Sequence, residues 1–88
     1  MMKTLTIMNE KGLHARASAK FVEMVESFDA NAEVSKDGMI VAGNSIMGLM
    51  MLAASKGCTI DVTASGEQAE ALAEALETLV GDFFGEGQ

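Results

Sequence analysis

Three observations predict a small two-layer α+β domain from this 88-residue sequence. Four short segments alternate apolar and polar residues as half-buried strands do. The segments between and after them carry apolar stripes at helical spacing. Finally, a chain this short buries a limited share of its surface, so one sheet face under two or three helices is about what it can cover. The expected order is β-α-β-β-α-β-α, within a single domain spanning 1–88.

The first strand is expected at Thr4–Met8, with Leu5 and Ile7 on one face and Thr4, Thr6 and Met8 on the other. Asn9-Glu10-Lys11-Gly12 reads as a loop. Ala17, Phe21, Val25 and Phe28, with Val22 beside them, form the stripe of a first helix, leaving Lys20, Glu23, Glu26 and Ser27 to water. Ala32 and Val34 alternate with Asn31, Glu33 and Ser35 in a second strand. Asp37-Gly38 signals a hairpin into a third strand, Met39–Ala42. A helix from about Ile46 to Ser55 follows, stopped by Gly57. The fourth strand, Thr59–Ala64, turns Ile60, Val62 and Ala64 inward, and Cys58 shares that parity as a small buried hydrophobe. Ser65-Gly66-Glu67-Gln68 has the form of a capping box. It opens a last helix striped by Ala69, Leu72, Leu76, Leu79, Val80 and Phe83, whose face of Glu67, Glu70, Glu74 and Glu77 is solvated.

Composition excludes several functions. Six basic against thirteen acidic residues give a net charge of −7, and no run of Lys or Arg supplies the patch that nucleic acid requires. Anionic membrane surfaces are disfavoured for the same reason, and no apolar run is long enough to span a bilayer. The N-terminus lacks the pattern of a secretory signal, which makes the cytosol the expected compartment. One cysteine makes no internal disulfide, and no Cys/His cluster suggests a metal; no cofactor motif is present. Paired carboxylates, a Ser-His-Asp set and a Gly-rich nucleotide loop are likewise missing. A single nucleophile without these suits a group carrier better than a stand-alone enzyme.

The candidate nucleophile is the sole histidine. His14 lies in Gly12-Leu13-His14-Ala15-Arg16-Ala17-Ser18, where the first loop becomes the first helix. A helix start offers unpaired backbone N–H groups and a positive dipole end, so a phosphoryl group there meets several donors. Arg16 adds a guanidinium fork suited to phosphate oxygens. Spacing alone also fits a surface histidine or weak cap. Ser45 precedes the second helix and reads as its N-cap, a position that also tolerates phosphate. Ile46, Met47, Leu49, Met50, Met51 and Leu52 surround that helix with apolar groups. A helix on a sheet buries only part of such a circumference, so an adaptable Met-rich patch is left for a partner or a second copy.

Together these residues resemble the HPr family, the histidine-containing phosphocarriers of the bacterial phosphotransferase system. The matching segments are Gly12-Leu13-His14-Ala15-Arg16, Asn44-Ser45-Ile46-Met47-Gly48-Leu49-Met50 and Lys56-Gly57, and the likeness spans nearly the whole chain. It implies an open-faced β-sandwich: a four-stranded antiparallel sheet with three helices on one face. It implies that enzyme I, charged by phosphoenolpyruvate, phosphorylates His14 at Nδ1, that Arg16 supports the phosphoryl group, and that an enzyme IIA-type protein receives it. It further implies that Ser45 matches a serine modified by an HPr kinase/phosphorylase, and that Ile46, Met47, Leu49 and Met50 form the docking patch.

Two departures stand out. Most members have proline where this chain has Ala17; alanine keeps the helix start while leaving it less rigid. Sugar-branch members tend to carry bases on the outer face of the first helix. Here Glu23 and Glu26 lie there, which points toward the nitrogen-related regulatory branch. Two other readings fit the pattern less well: a ligand-binding ferredoxin-like domain, and an HPr-like module that acts through phospho-Ser45 without histidine phosphotransfer.

Overall fold

Alternation of apolar side chains builds the sheet. The computed structural model describes residues 1–86. Its strands are β1 (Met2–Thr6), β2 (Asn31–Lys36), β3 (Met39–Ala42) and β4 (Thr59–Ser65), in the spatial order β1-β4-β2-β3 with every pair antiparallel. The register stacks Leu5 opposite Ile60, Val34 opposite Val62 and Val41, and Ala32 opposite Ala64 on the covered face. The other face is open and mostly polar, with Met2 and Ile40 exposed on it; Thr4 Oγ1 donates to Asp61 Oδ1 at 2.6 Å across β1 and β4. β2 and β3 join through Asp37-Gly38, both with positive φ (51° and 85°), the backbone a tight primed hairpin requires.

Three helices, α1 (Ala15–Glu26), α2 (Ile46–Met51) and α3 (Ala69–Gly81), cover the inner face. Ala17, Phe21, Val22 and Val25 of α1 and Leu72, Ala73, Leu76 and Val80 of α3 meet the sheet in one core. Phe28, at the end of the first stripe, is only partly buried.

The expected boundaries shift in places. β1 begins two residues earlier than the alternation suggests, and Ile7, beyond its end, is still fully buried. α2 stops well before Ser55, because Ala53 turns left-handed (φ 52°) and ends the helix without waiting for Gly57. The Ser65 capping box does not form. Ser65 is the last residue of β4, and Gln68 occupies the N-cap of α3 with no side-chain capping bond; its Oε1 instead accepts the Asp29 N–H at 2.7 Å. Cys58 is not buried as its parity suggested. It precedes β4 in a turn outside the ladder, half-exposed, its Sγ 3.4 Å from Ser55 Oγ. Hydrogen bonds from Ser55 hold its thiol below the usual pKa.

After α3 the chain makes a left-handed turn through Phe83, Phe84 and Gly85 (φ 57°, 53° and 76°). Such backbone costs a non-glycine residue about 1–2 kcal/mol. Phe83 and Phe84 both carry it, about 2–4 kcal/mol together, and burying the Phe84 ring offsets about 1.5–3 kcal/mol of this. Phe84, not Phe83, is therefore the core residue that closes this end of the domain.

Candidate functional site

The site begins at the loop that enters α1. Gly12 has φ +63°, and a Cβ there would stand 2.3 Å from the Ala54 carbonyl oxygen. The loop thus lies directly on the chain leaving α2, fixed by Leu13 N–H donating to Ala54 O at 2.9 Å. Ser18 Oγ, buried in the first turn of α1, donates back to Leu13 O at 3.1 Å. Asn9 is completely buried, and its Nδ2 donates to Gly12 O at 2.9 Å.

This scaffold places His14 at the N-cap of α1, as the sequence suggests, but the ring makes no capping bond. It turns to the C-terminal segment, where Nε2 lies 2.6 Å from Glu86 Oε2. The other carboxylate oxygen, Oε1, accepts from Asn9 Nδ2 at 3.1 Å. Lys20, expected to face water, is drawn inward, and its Nζ donates to Phe84 O at 2.7 Å. Burial opposes ionisation of Glu86. The hydrogen bonds from Asn9 and His14, with the charge of His14 when it is protonated and that of Lys20, outweigh it and hold the carboxyl below the usual carboxylate range.

Arg16, the second residue of α1, lies exposed in its first turn. It lines a cleft of about 370 Å³ with Glu10, Lys11, Lys20, Gly85 and Glu86. Three of the six Lys and Arg residues, Lys11, Arg16 and Lys20, thus meet in this one cleft from a single ten-residue stretch. His14 opens to a separate shallow depression of about 300 Å³ that reaches Met50 and Ala53 to Ser55. The histidine therefore borders the end of α2 directly, and meets the mixed-charge cleft of Arg16 through its contact with Glu86.

Ser45 is the N-cap of α2, its Oγ accepting the Gly48 N–H at 3.0 Å. Ile46, Met47 and Met50 are exposed, Met47 at 71%, and Met51 joins them at 65%. Leu49 does not belong to this surface. It is fully buried, because α2 turns that position and Leu52 toward the sheet and α1. The apolar circumference of α2 thus divides between core and solvent.

A family model described as "PTS HPr component phosphorylation site" matches residues 1–82. The chain belongs to the HPr phosphocarrier family. The phosphocarrier protein HPr of Neisseria meningitidis serogroup B is 45% identical over 89 residues, covering all of this chain and 99% of that protein. Phosphocarrier protein NPr of Escherichia coli K12 is 38% identical, with 92% and 88% covered. Among solved structures, HPr from Thermoanaerobacter tengcongensis superposes with a TM-score of 0.93 at 38% identity, covering 98% of this chain and 97% of that one. HPr from Bacillus anthracis gives 0.86 at 39% identity, with 91% and 95% covered. The four-stranded antiparallel sheet under three helices is thus the HPr fold, and the family is a phosphocarrier of the phosphotransferase system.

Sequence reading missed Asn9 and Glu86. Asn9 looked like an ordinary loop residue, and although Gly85 admits positive φ, nothing in Phe83-Phe84 signals left-handed backbone at both phenylalanines. Among the described residues no group of His, Cys, Asp and Glu is arranged to hold a metal ion, and no helix is long and apolar enough to cross a membrane.

Proposed function

We propose that this chain, acting as one cytoplasmic domain, accepts a phosphoryl group on His14 from phosphoenolpyruvate-charged enzyme I and delivers it to an enzyme IIA-type protein. The observation that carries the reading is the histidine at the start of α1, partly exposed beside Met50 of α2 and linked through Glu86 to the Arg16 cleft. Backbone N–H groups of the first helical turn and the Arg16 guanidinium are what a phosphoryl group needs there. Ile46, Met47 and Met50 serve as the docking surface for both partners, since Met50 borders the depression that His14 opens into.

Ser45 is the proposed control point, modified by an HPr kinase/phosphorylase. A phosphate on the α2 N-cap brings about two negative charges beside the docking residues, which the helix end tolerates and an acidic partner opposes. The branch is proposed as the nitrogen-related one. Glu23 and Glu26 are exposed on α1, and Lys20, the nearby base, is turned toward Phe84 O, so the outer face of this helix presents acid to a partner.

The test is relay in a reconstituted mixture of enzyme I, phosphoenolpyruvate, this protein and an enzyme IIA acceptor. Label should reach the acceptor through the wild type and not through His14→Ala. Equal transfer by the two proteins would end the proposal.

A further inference from the structure

We infer that Glu86, held by Asn9, is a positioning residue that keeps the proton of neutral His14 on Nε2 and leaves the Nδ1 lone pair free to take the phosphoryl group. The inference rests on the proposal that His14 carries phosphate. A nitrogen and a carboxylate oxygen 2.6 Å apart share a proton. An ionised carboxylate only accepts, so the donor is the ring. The amide of Asn9 faces two acceptors, Gly12 O and Glu86 Oε1, and must present its NH2 to both. The carboxylate is thereby fixed through one oxygen and engaged with the histidine through the other. The left-handed turn at Phe83 to Gly85, pinned by the buried Phe84 ring and by Lys20, brings Glu86 to this point. Nδ1 makes no hydrogen bond among the described residues, and as the ring of the N-cap it lies beside the first turn of α1.

The consequence for transfer is specific. As the Nδ1 lone pair attacks phosphorus, the Nδ1–P bond forms and the bond from phosphorus to the donor atom of charged enzyme I breaks, the donor keeping that electron pair. The Nε2 proton stays in place, and the positive charge the ring gains sits against the Glu86 carboxylate. On delivery the electron pair of the Nδ1–P bond returns to Nδ1, and the leaving group is neutral imidazole rather than imidazolate. One carboxylate therefore sets the tautomer that is loaded and keeps Nε2 protonated for unloading, as carboxylates orient histidines elsewhere.

The test compares wild type, Glu86→Ala and Glu86→Gln by proton–nitrogen NMR of the His14 ring and by the rate of phosphorylation by charged enzyme I. The wild type should show an exchange-protected, downfield Nε2 proton, which Glu86→Ala loses. Loss of one charge-assisted contact should slow Glu86→Ala by about tenfold, mainly in the maximal rate. Glu86→Gln, whose carbonyl still accepts the Nε2–H bond, should recover the protected proton and part of the rate. Wild-type rate in Glu86→Ala, or no protected Nε2 proton in the wild type, overturns the inference while phosphate on His14 stands. Phosphate uptake by His14→Ala would instead overturn the carrier reading on which it rests.

Discussion

Replacing Gly12 by alanine tests how the histidine loop is held. The new Cβ would meet the Ala54 carbonyl oxygen at 2.3 Å and the Ser55 Cα at 2.9 Å, both backbone atoms with no rotamer to yield. The loop must lift, and the Leu13 N–H···O bond to Ala54 is broken or stretched. Left-handed backbone costs alanine about 1 kcal/mol, and a buried amide left without its acceptor costs about 1–3 kcal/mol more. The expected loss is about 2–4 kcal/mol, a fall in Tm of roughly 10–25 °C for a domain of this size. Gly38→Ala is the matched control. It has φ +85° but no atom within 4 Å, so it should lose only about 1 kcal/mol for its backbone. Urea unfolding followed by circular dichroism measures both. If Gly12→Ala unfolds within about 0.5 kcal/mol of the control, the close approach of loop and α2 exit does not constrain this end of the molecule.

Other outcomes follow from burial and charge. Leu49→Ala should cost about 2–4 kcal/mol by cavity formation, whereas Met47→Ala should stay within about 0.5 kcal/mol and weaken partner docking instead. Paired denaturation and binding measurements separate the two. Ser45→Ala should cost about 1 kcal/mol through loss of the bond to Gly48 N–H, read by the same unfolding assay. Because the folded Glu86 carboxyl is held below the usual carboxylate range, its contribution to stability is complete above its unfolded pKa and is lost as pH falls through the lowered folded value. Glu86→Gln should therefore be less stable than wild type near neutral pH, with the gap closing under acid. A gap that widens toward low pH would show the sign to be wrong.

Much of the sheet was legible because parity is a local property. Leu5, Ile7, Ala32, Val34, Ile60, Val62 and Ala64 all turned inward as the alternation required, and Asp37-Gly38 made its hairpin. Parity failed at Cys58, which precedes the ladder and so does not obey its two-residue period. The end of α2 was illegible because alanine carries no signal for left-handed backbone. Leu49 was misread because a helix apolar on every side does not reveal which side meets the core. At the site, His14, Arg16 and Ser45 announced themselves by residue type at helix starts. Asn9 and Glu86 did not, because 77 residues separate them and only the fold, through an unsignalled turn at two phenylalanines, brings them together.

His14 is the proposed phosphoryl acceptor. Peptide mapping by mass spectrometry at neutral to alkaline pH, which preserves an acid-labile phosphoryl–nitrogen bond, tests it most directly after incubation with enzyme I and phosphoenolpyruvate. One phosphoryl group is expected, on the peptide containing His14 and lost on brief acidification. An acid-stable phosphate on Ser45 under those conditions, or an unmodified His14 peptide, would contradict it.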